Sequence, residues 1–189
     1  GFMLPRSVYD AFNPLARARY WEYADGEFFG NGFDAWWCDC TEPLDADWRP
    51  MPEGYGWDSH KERWKGNLAL LDGVLGAERS SLFSLYHSKG LYENQRATTD
   101  RKRVVNLTRS SYAGQQRYST ITWNGDTHAS WKSFAQQIPQ GLNFMATGCP
   151  YWTVDIGSFF TRKGREWFRA GDFDAGVDDM GYREYYVRM

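Results

Sequence analysis

Phe33-Asp34-Ala35-Trp36-Trp37-Cys38-Asp39-Cys40-Thr41-Glu42-Pro43 is an apolar run that ends abruptly in carboxylates and a proline. Its composition suits a buried strand. Side chains alternate along a strand, so Ala35, Trp37 and Asp39 share one face while Trp36, Cys38 and Cys40 share the other. A charged residue closing such a strand has two readings. It caps the next helix, with Pro43 marking a turn. Alternatively it stands on the rim formed by the carboxyl ends of the strands of an α/β barrel, where that architecture carries its functional groups.

Three further segments favour the rim. Val104-Val105-Asn106-Leu107-Thr108-Arg109 is a β-branched strand ending in Arg109, and Thr120-Ile121-Thr122-Trp123-Asn124-Gly125-Asp126 is another ending in Asp126. Between them runs Tyr112-Ala113-Gly114-Gln115-Gln116-Arg117-Tyr118, a polar, aromatic loop suited to lining a site. Cys149-Pro150-Tyr151-Trp152-Thr153-Val154-Asp155-Ile156-Gly157 again places an Asp at a strand end. One such Asp is common; a succession of charged strand ends is not.

The intervening segments read as helices, so the strands are parallel and joined by right-handed crossovers. Asn13-Pro14 supplies an N-cap and first helical position, and that helix runs to about Phe29 before Gly30 and Gly32 stop it. Residues 44–66, rich in Pro, Gly and Trp, with Trp48, Trp57 and Trp64 among charged groups, read as a long excursion over the barrel mouth. A helix from about Arg79 to Gly90 leads through residues 92–96 to the strand at 103–108. Ser130 to Gln137 is helical, with Pro139 and Gly141 breaking it. A strand at 150–155 and a last helix near 180–188 complete the pattern.

Composition narrows the function classes. The 189 residues carry a net charge of −2, which gives nucleic acid no electrostatic attraction. The Arg101-Lys102-Arg103 cluster reads as a solvated strand start. No apolar run reaches the roughly 18 residues of a membrane span. Aromatics make up 18% of the chain, including ten Trp, which suits sugar sites and large cores alike. Cys38 and Cys40 are too close to pair comfortably, and no zinc spacing appears, so all three cysteines read as reduced packing residues. That fits a cytoplasmic or a periplasmic location and decides neither. Asp172-Phe173-Asp174 and Asp178-Asp179 lack the spacing of a calcium loop and read as ordinary loop. His60, His87 and His128 form no ligand pattern; His87 reads as a helix-surface or core residue and His128 as packing at a helix start.

These blocks resemble the catalytic barrel of glycoside hydrolase family 31, which holds α-glucosidases, α-xylosidases and some transglycosylases. Asp34 to Pro43 (DAWWCDCTEP), Leu107 to Tyr118 (LTRSSYAGQQRY), Trp123 to Asp126 (WNGD) and Tyr151 to Phe159 (YWTVDIGSF) carry it, in the same order and with fitting spacing. Weaker similarity extends from Tyr9 to Arg188. The resemblance implies that Asp39 is the nucleophile and Asp126 the general acid/base. It implies that Arg109 binds sugar hydroxyls near the cleaved bond, and that Asp155 is a carboxylate at the base of the same subsite. Glu42 lies close enough to Asp39 to be catalytic itself; the family pattern makes it a structural partner at the strand end.

The chemistry needs such a set. Retaining cleavage requires one ionised carboxylate to attack the anomeric carbon and one protonated carboxyl to protonate the leaving oxygen, about 5–5.5 Å apart. Asp39 and Asp126 can fill those roles if Asp126 keeps its proton, which apolar surroundings and nearby negative charge favour. Arg109 keeps Asp39 ionised and offers a planar fork to hydroxyls. Trp37, Trp123 and Trp152, each near a strand end, either wall the sugar or fill the barrel core. No cofactor and no metal is called for.

A closed barrel has eight strands in roughly 250 residues. The expectation is therefore a single α/β domain over residues 1–189, a partial (β/α)8 TIM barrel of about strands four to seven, truncated at both ends. The resemblance implies that an acidic sugar-binding residue, a sugar-binding His and an N-terminal β-domain lie outside it, and such a piece alone would expose strand edges and aggregate. The expected activity is a retaining α-glycosidase acting on a glycoside or oligosaccharide. The WWxDxTEP and RSxYAGQQRY patterns resemble the α-xylosidase branch; α-glucosidase or α-transglucosidase is the alternative within the family. An inactive carbohydrate-binding half-barrel is the alternative outside it.

Overall fold

A computed structural model describes residues 9–42, 65–66, 68–69, 72–73, 75–164 and 170–189. Its helices are α1 (Pro14–Glu27), α2 (Phe83–Thr98), α3 (Trp131–Ala146) and α4 (Met180–Arg188), with a single helical turn at Ala77–Ser80. The strands are β1 (Trp36–Cys38), β2 (Asn106–Thr108), β3 (Thr120–Trp123) and β4 (Trp152–Thr153). They form one parallel sheet in sequence order, β1-β2-β3-β4, an arc of an α/β barrel. No described helix is long and apolar enough to cross a membrane. Residues 44–64 of the expected excursion, with Trp48, Trp57, His60 and Trp64, lie outside the described residues.

Register divides the sheet into two faces. Trp36, Asn106 and Thr120 stand side by side, as do Cys38, Thr108, Thr122 and Trp152, and this face meets the helices. Trp36 Nε1 donates to Gln95 Oε1 of α2 at 2.8 Å, and Trp21 Nε1 of α1 donates to Thr98 Oγ1 at 2.9 Å. Trp21, Ala24, Cys38 and Leu91 form the core there, with Phe29 and Trp36 packed on it. The opposite face carries Trp37, Leu107, Ile121 and Trp123. The strands are shorter than their apolar runs, and among the described residues β1 pairs with β2 alone.

Helix starts follow the sequence. Asn13 accepts from the Leu15 N–H at 2.9 Å with Pro14 at N1, Ser130 Oγ accepts from the Ser133 N–H at 3.1 Å, and Asp179 accepts from the Gly181 and Tyr182 N–H groups. Each such cap contributes about 1 kcal/mol. Thus Asp179 of the acidic pair is a cap, and Asp174 Oδ1 accepts from the Lys163 N–H. Lys102 pairs with Asp34 at the start of the sheet.

Two helices run longer than their breakers suggest. Residues 92–96, read as a connection, are part of α2, which passes through Gly90 because α1 lies against it: a Cβ there would sit 2.8 Å from Arg17 Cδ. Helix α3 passes through both Pro139 and Gly141. A Cβ on Gly141 would fall 2.6 Å from Trp152 Cζ3, so this glycine is where β4 docks; Pro139, a residue type that costs a helix interior roughly 3 kcal/mol, stands two residues before it. Conversely, the β2 to β3 crossover is not a helix. It is a loop with one 3-10 turn, Gln115–Tyr118, anchored by the fully buried Gln115. Gln115 Nε2 donates to Ser84 Oγ at 2.8 Å and Ser88 Oγ at 3.0 Å, while its Oε1 accepts from the Tyr112 N–H at 2.9 Å.

His87 is a core residue. It lies among Tyr9, Tyr20 and Phe83, its Nδ1 is 2.6 Å from the Tyr9 hydroxyl, and burial pulls its pKa down to about 4. His128 stacks on Phe160 beside the start of α3. The three cysteines form no disulfide; Cys38 and Cys149 are buried, while Cys40 belongs to the site.

Candidate active site

At the carboxyl end of β1 the chain turns sharply. Cys40 takes a left-handed conformation (φ +52°), and the Asp39 carboxylate accepts from the Cys40 N–H at 2.7 Å. The turn brings Thr41 onto the end of β2, where its hydroxyl is 2.9 Å from Ser110 Oγ and accepts from the Ser110 N–H at 3.3 Å. It also returns Glu42 toward Arg109. The loop beyond Arg109 is fixed from below, since Ser84 Oγ donates to the Ser110 carbonyl at 2.7 Å.

Arg109 is the centre of the cluster. Its Nε donates to Glu42 Oε1 at 2.7 Å, and its Nη2 bonds the same oxygen and donates to Cys40 Sγ at 3.1 Å. Nη1 lies 3.1 Å from Asp39 Oδ1 and 3.9 Å from Asp126 Oδ2. Those two carboxyl oxygens are therefore at most about 7 Å apart, a limit that admits the roughly 5–5.5 Å separation of a retaining pair. The sheet thus brings together Asp39, Arg109 and Asp126 from three strand ends.

Burial opposes the charge on Arg109, but its hydrogen bond to Glu42 and the charges of Glu42 and Asp39 outweigh that, and its pKa is raised. Asp126 is raised too. Burial is the main cause and Arg109 works against it, while Asp39, Asp155 and Glu42 add to the rise. Asp155 is raised by burial and by the charge of Asp39, which places it within the same field. Asp39 is open, its side chain 59% exposed against 32% for Asp126. An exposed, Arg-paired carboxylate beside a shaded carboxyl held toward its protonated form is an arrangement suited to nucleophile and acid.

The three candidate tryptophans separate. Trp37, 67% exposed, meets the buried Trp123 edge to face at 5.7 Å on the inner face of the sheet. Trp152 lies on the other face, its ring against Gly141 of α3, and so packs a helix instead of walling the site. An apolar groove of about 580 Å³ lies beside β1, lined by Tyr20, Phe28, Phe33 and Trp36 among others; the carboxylate cluster does not line it.

Three participants were not singled out as site residues by the sequence reading. Cys40, read as packing, is an acceptor for Arg109. Gly125 has φ +75°, and a Cβ on it would lie 3.1 Å from Arg109 Cδ. Gln115 holds the loop beyond Arg109. The glycine next to Asp126 was the one visible signal among them.

The sequence profile of the glycosyl hydrolases family 31 TIM-barrel domain matches residues 3–187. The chain belongs to glycoside hydrolase family 31. Among family members it is 40% identical to an alpha-xylosidase of Saccharolobus solfataricus over 154 residues, covering 80% of this chain and 19% of that protein. It is 32% identical to alpha-xylosidase A of Aspergillus niger, covering 95% and 24%. The crystal structure of a family 31 alpha-xylosidase from Xanthomonas citri superposes on it with a TM-score of 0.70 at 33% identity, covering 96% of this chain and 18% of that one. The chain thus spans about a fifth to a quarter of the length of these relatives.

Proposed function

We propose that this chain carries the catalytic pair of a retaining α-glycoside hydrolase acting on terminal α-linked sugars, α-xylosides first. Asp39 is the nucleophile and Asp126 the general acid/base. The observation that carries this reading is one guanidinium nitrogen, Arg109 Nη1, standing within ion-pair distance of both carboxylates. The preference for xylose rests on relatives named alpha-xylosidase at 32% and 40% identity. The 189 residues act as one part of a barrel, about its fourth to seventh strands, and the rest of the sugar pocket belongs to residues outside them.

In the first step Asp39 attacks the anomeric carbon while Asp126 delivers its proton to the leaving oxygen, so the glycosidic bond breaks as a glycosyl-aspartate ester forms. Asp126, now ionised, takes a proton from water. That water attacks the anomeric carbon, the ester breaks, and Asp39 is released with the sugar's configuration retained. Arg109 holds Asp39 ionised and orients hydroxyls beside it. Trp37 offers an open apolar face to the sugar ring, Trp123 backs it, and Asp155 accepts from hydroxyls at the base of the subsite.

Proton NMR of the first-formed product from an aryl α-xyloside and an aryl α-glucoside, with the complete protein, tests this. The α-anomer appearing first, and faster turnover of the xyloside, is the expected result. The β-anomer first overturns the mechanism, and faster turnover of the glucoside reassigns the substrate. No turnover of either favours a binding role.

A further inference from the structure

We infer that Glu42 is a positioning residue: with Cys40 it forms a cradle that takes Nε and Nη2 of Arg109, so that Nη1 alone is directed between Asp39 and Asp126. This deepens the reading above and depends on it for its catalytic meaning. An arginine has a fork of donors, and a carboxylate pairs most favourably with two of them at once. Left to themselves, Asp39 or Asp126 would each compete for that two-point grip. Asp39 would then have its charge damped by a full fork, or Asp126 would be held ionised by it, its proton released to solvent.

The structure prevents both. Glu42 Oε1 occupies Nε and Nη2 together, and the Cys40 sulfur lies 3.1 Å from Nη2. The cradle is built at a cost, since Cys40 adopts a left-handed backbone to bring its sulfur there and to return Glu42. The second oxygen of Glu42 is buried without a hydrogen-bond partner among the described residues, and the first is the one that Arg109 holds. From the far side the arginine stem passes over Gly125, where a Cβ would stand 3.1 Å from Arg109 Cδ, so the stem takes this course only past a glycine. The one remaining nitrogen touches Asp39 at 3.1 Å and Asp126 at 3.9 Å, an asymmetry that favours the ionised form of the first over that of the second.

The charged groups acting on Asp126 are Arg109, Asp39, Asp155 and Glu42. Glu42→Gln keeps the shape and one acceptor but removes a negative charge and loosens the arginine, and both changes favour ionised Asp126. A carbon-13 titration of the Asp126 carboxyl should therefore show its pKa lower in E42Q than in the wild type by about one unit, the scale of one nearby charge. The basic limb of kcat/KM should move down in pH by the same amount, with kcat reduced roughly tenfold. An unchanged or raised Asp126 pKa overturns the inference. Because loss of the Glu42 charge by itself lowers that pKa, merging of the separate Arg109 Nη1 and Nη2 signals in the nitrogen NMR of E42Q is the readout a through-space charge would not move, and its absence overturns the cradle.

Should E42Q not fold, nitrogen NMR of the wild type decides. Separate Nη1 and Nη2 signals for Arg109 are expected from a guanidinium held on one side, and a single averaged signal overturns the cradle. The titration needs no turnover. A protein without glycosidase activity would sink the catalytic reading yet leave the cradle tested.

Discussion

Gly125→Ala puts a methyl group where the structure has no room for one. Gly125 has φ +75°, a conformation that costs an L-residue about 1–2 kcal/mol. Its new Cβ would stand 3.1 Å from Arg109 Cδ and 3.3 Å from Cγ, closer than carbon atoms rest. The arginine cannot yield freely, because Glu42, Cys40 and Asp39 hold its head. Forced contact of this kind adds about 1–3 kcal/mol, so the total destabilisation should reach about 2–5 kcal/mol. Displacing Nη1 from the two carboxylates should cost up to about a hundredfold in kcat/KM.

Thermal unfolding and kinetics of G125A, R109A and the double variant separate the two contributions. In the R109A background only the backbone penalty remains, so the double-mutant cycle should show a coupling of at least about 1 kcal/mol. A G125A protein with wild-type Tm and kcat/KM would refute the placement of Arg109 against Gly125. Additive effects in the cycle would refute the contact while leaving the backbone strain.

Other consequences are separately measurable. Asp126 and Asp155 have raised folded-state pKa values, so their stability contribution is complete below the ordinary carboxylate range and is lost as pH rises through the raised values. Asp126→Asn and Asp155→Asn should each raise Tm at about pH 7 and leave it unchanged at about pH 3, where both states are protonated; a lower Tm at neutrality would contradict the burial cause. His87 has the opposite sign: its pKa falls from 6.5 to about 4 on folding, so acidification between those values favours the unfolded chain by up to about 3 kcal/mol. His87→Gln should flatten the dependence of Tm on pH in that window, and an unchanged slope would place the acid sensitivity elsewhere. Gly141→Ala should lower stability by about 1–3 kcal/mol despite alanine's better helix propensity, because of Trp152; an equal or higher Tm would contradict the docking of β4 on α3.

What the sequence revealed and concealed follows from the range of the forces involved. The strand ends were legible because β-branched and aromatic runs stop at charges, and the helix caps because Asn13 and Asp179 act on neighbouring amides. Breakers misled at Gly90 and Gly141, where packing against Arg17 and Trp152 on other elements requires a glycine, and at Pro139, which α3 runs through. The sequence left open whether Trp152 walls the site or packs the core for a related reason. Proximity to a strand end says nothing of side, and only its register with Thr122 and Cys38 fixes the side. The role of Cys40 was hidden because a thiol in an apolar run looks like packing until the left-handed turn aims it at Arg109.

The central claim is that Asp39 forms a covalent bond to the sugar. An activated fluorosugar of the α-xylo configuration, whose fluorine slows breakdown of the ester, should add one glycosyl mass to the complete protein, and peptide mapping should place it on Asp39. Asp39→Asn should take up no label. A label on Glu42 or Asp126, or efficient turnover of α-xylosides by D39N, would contradict the assignment.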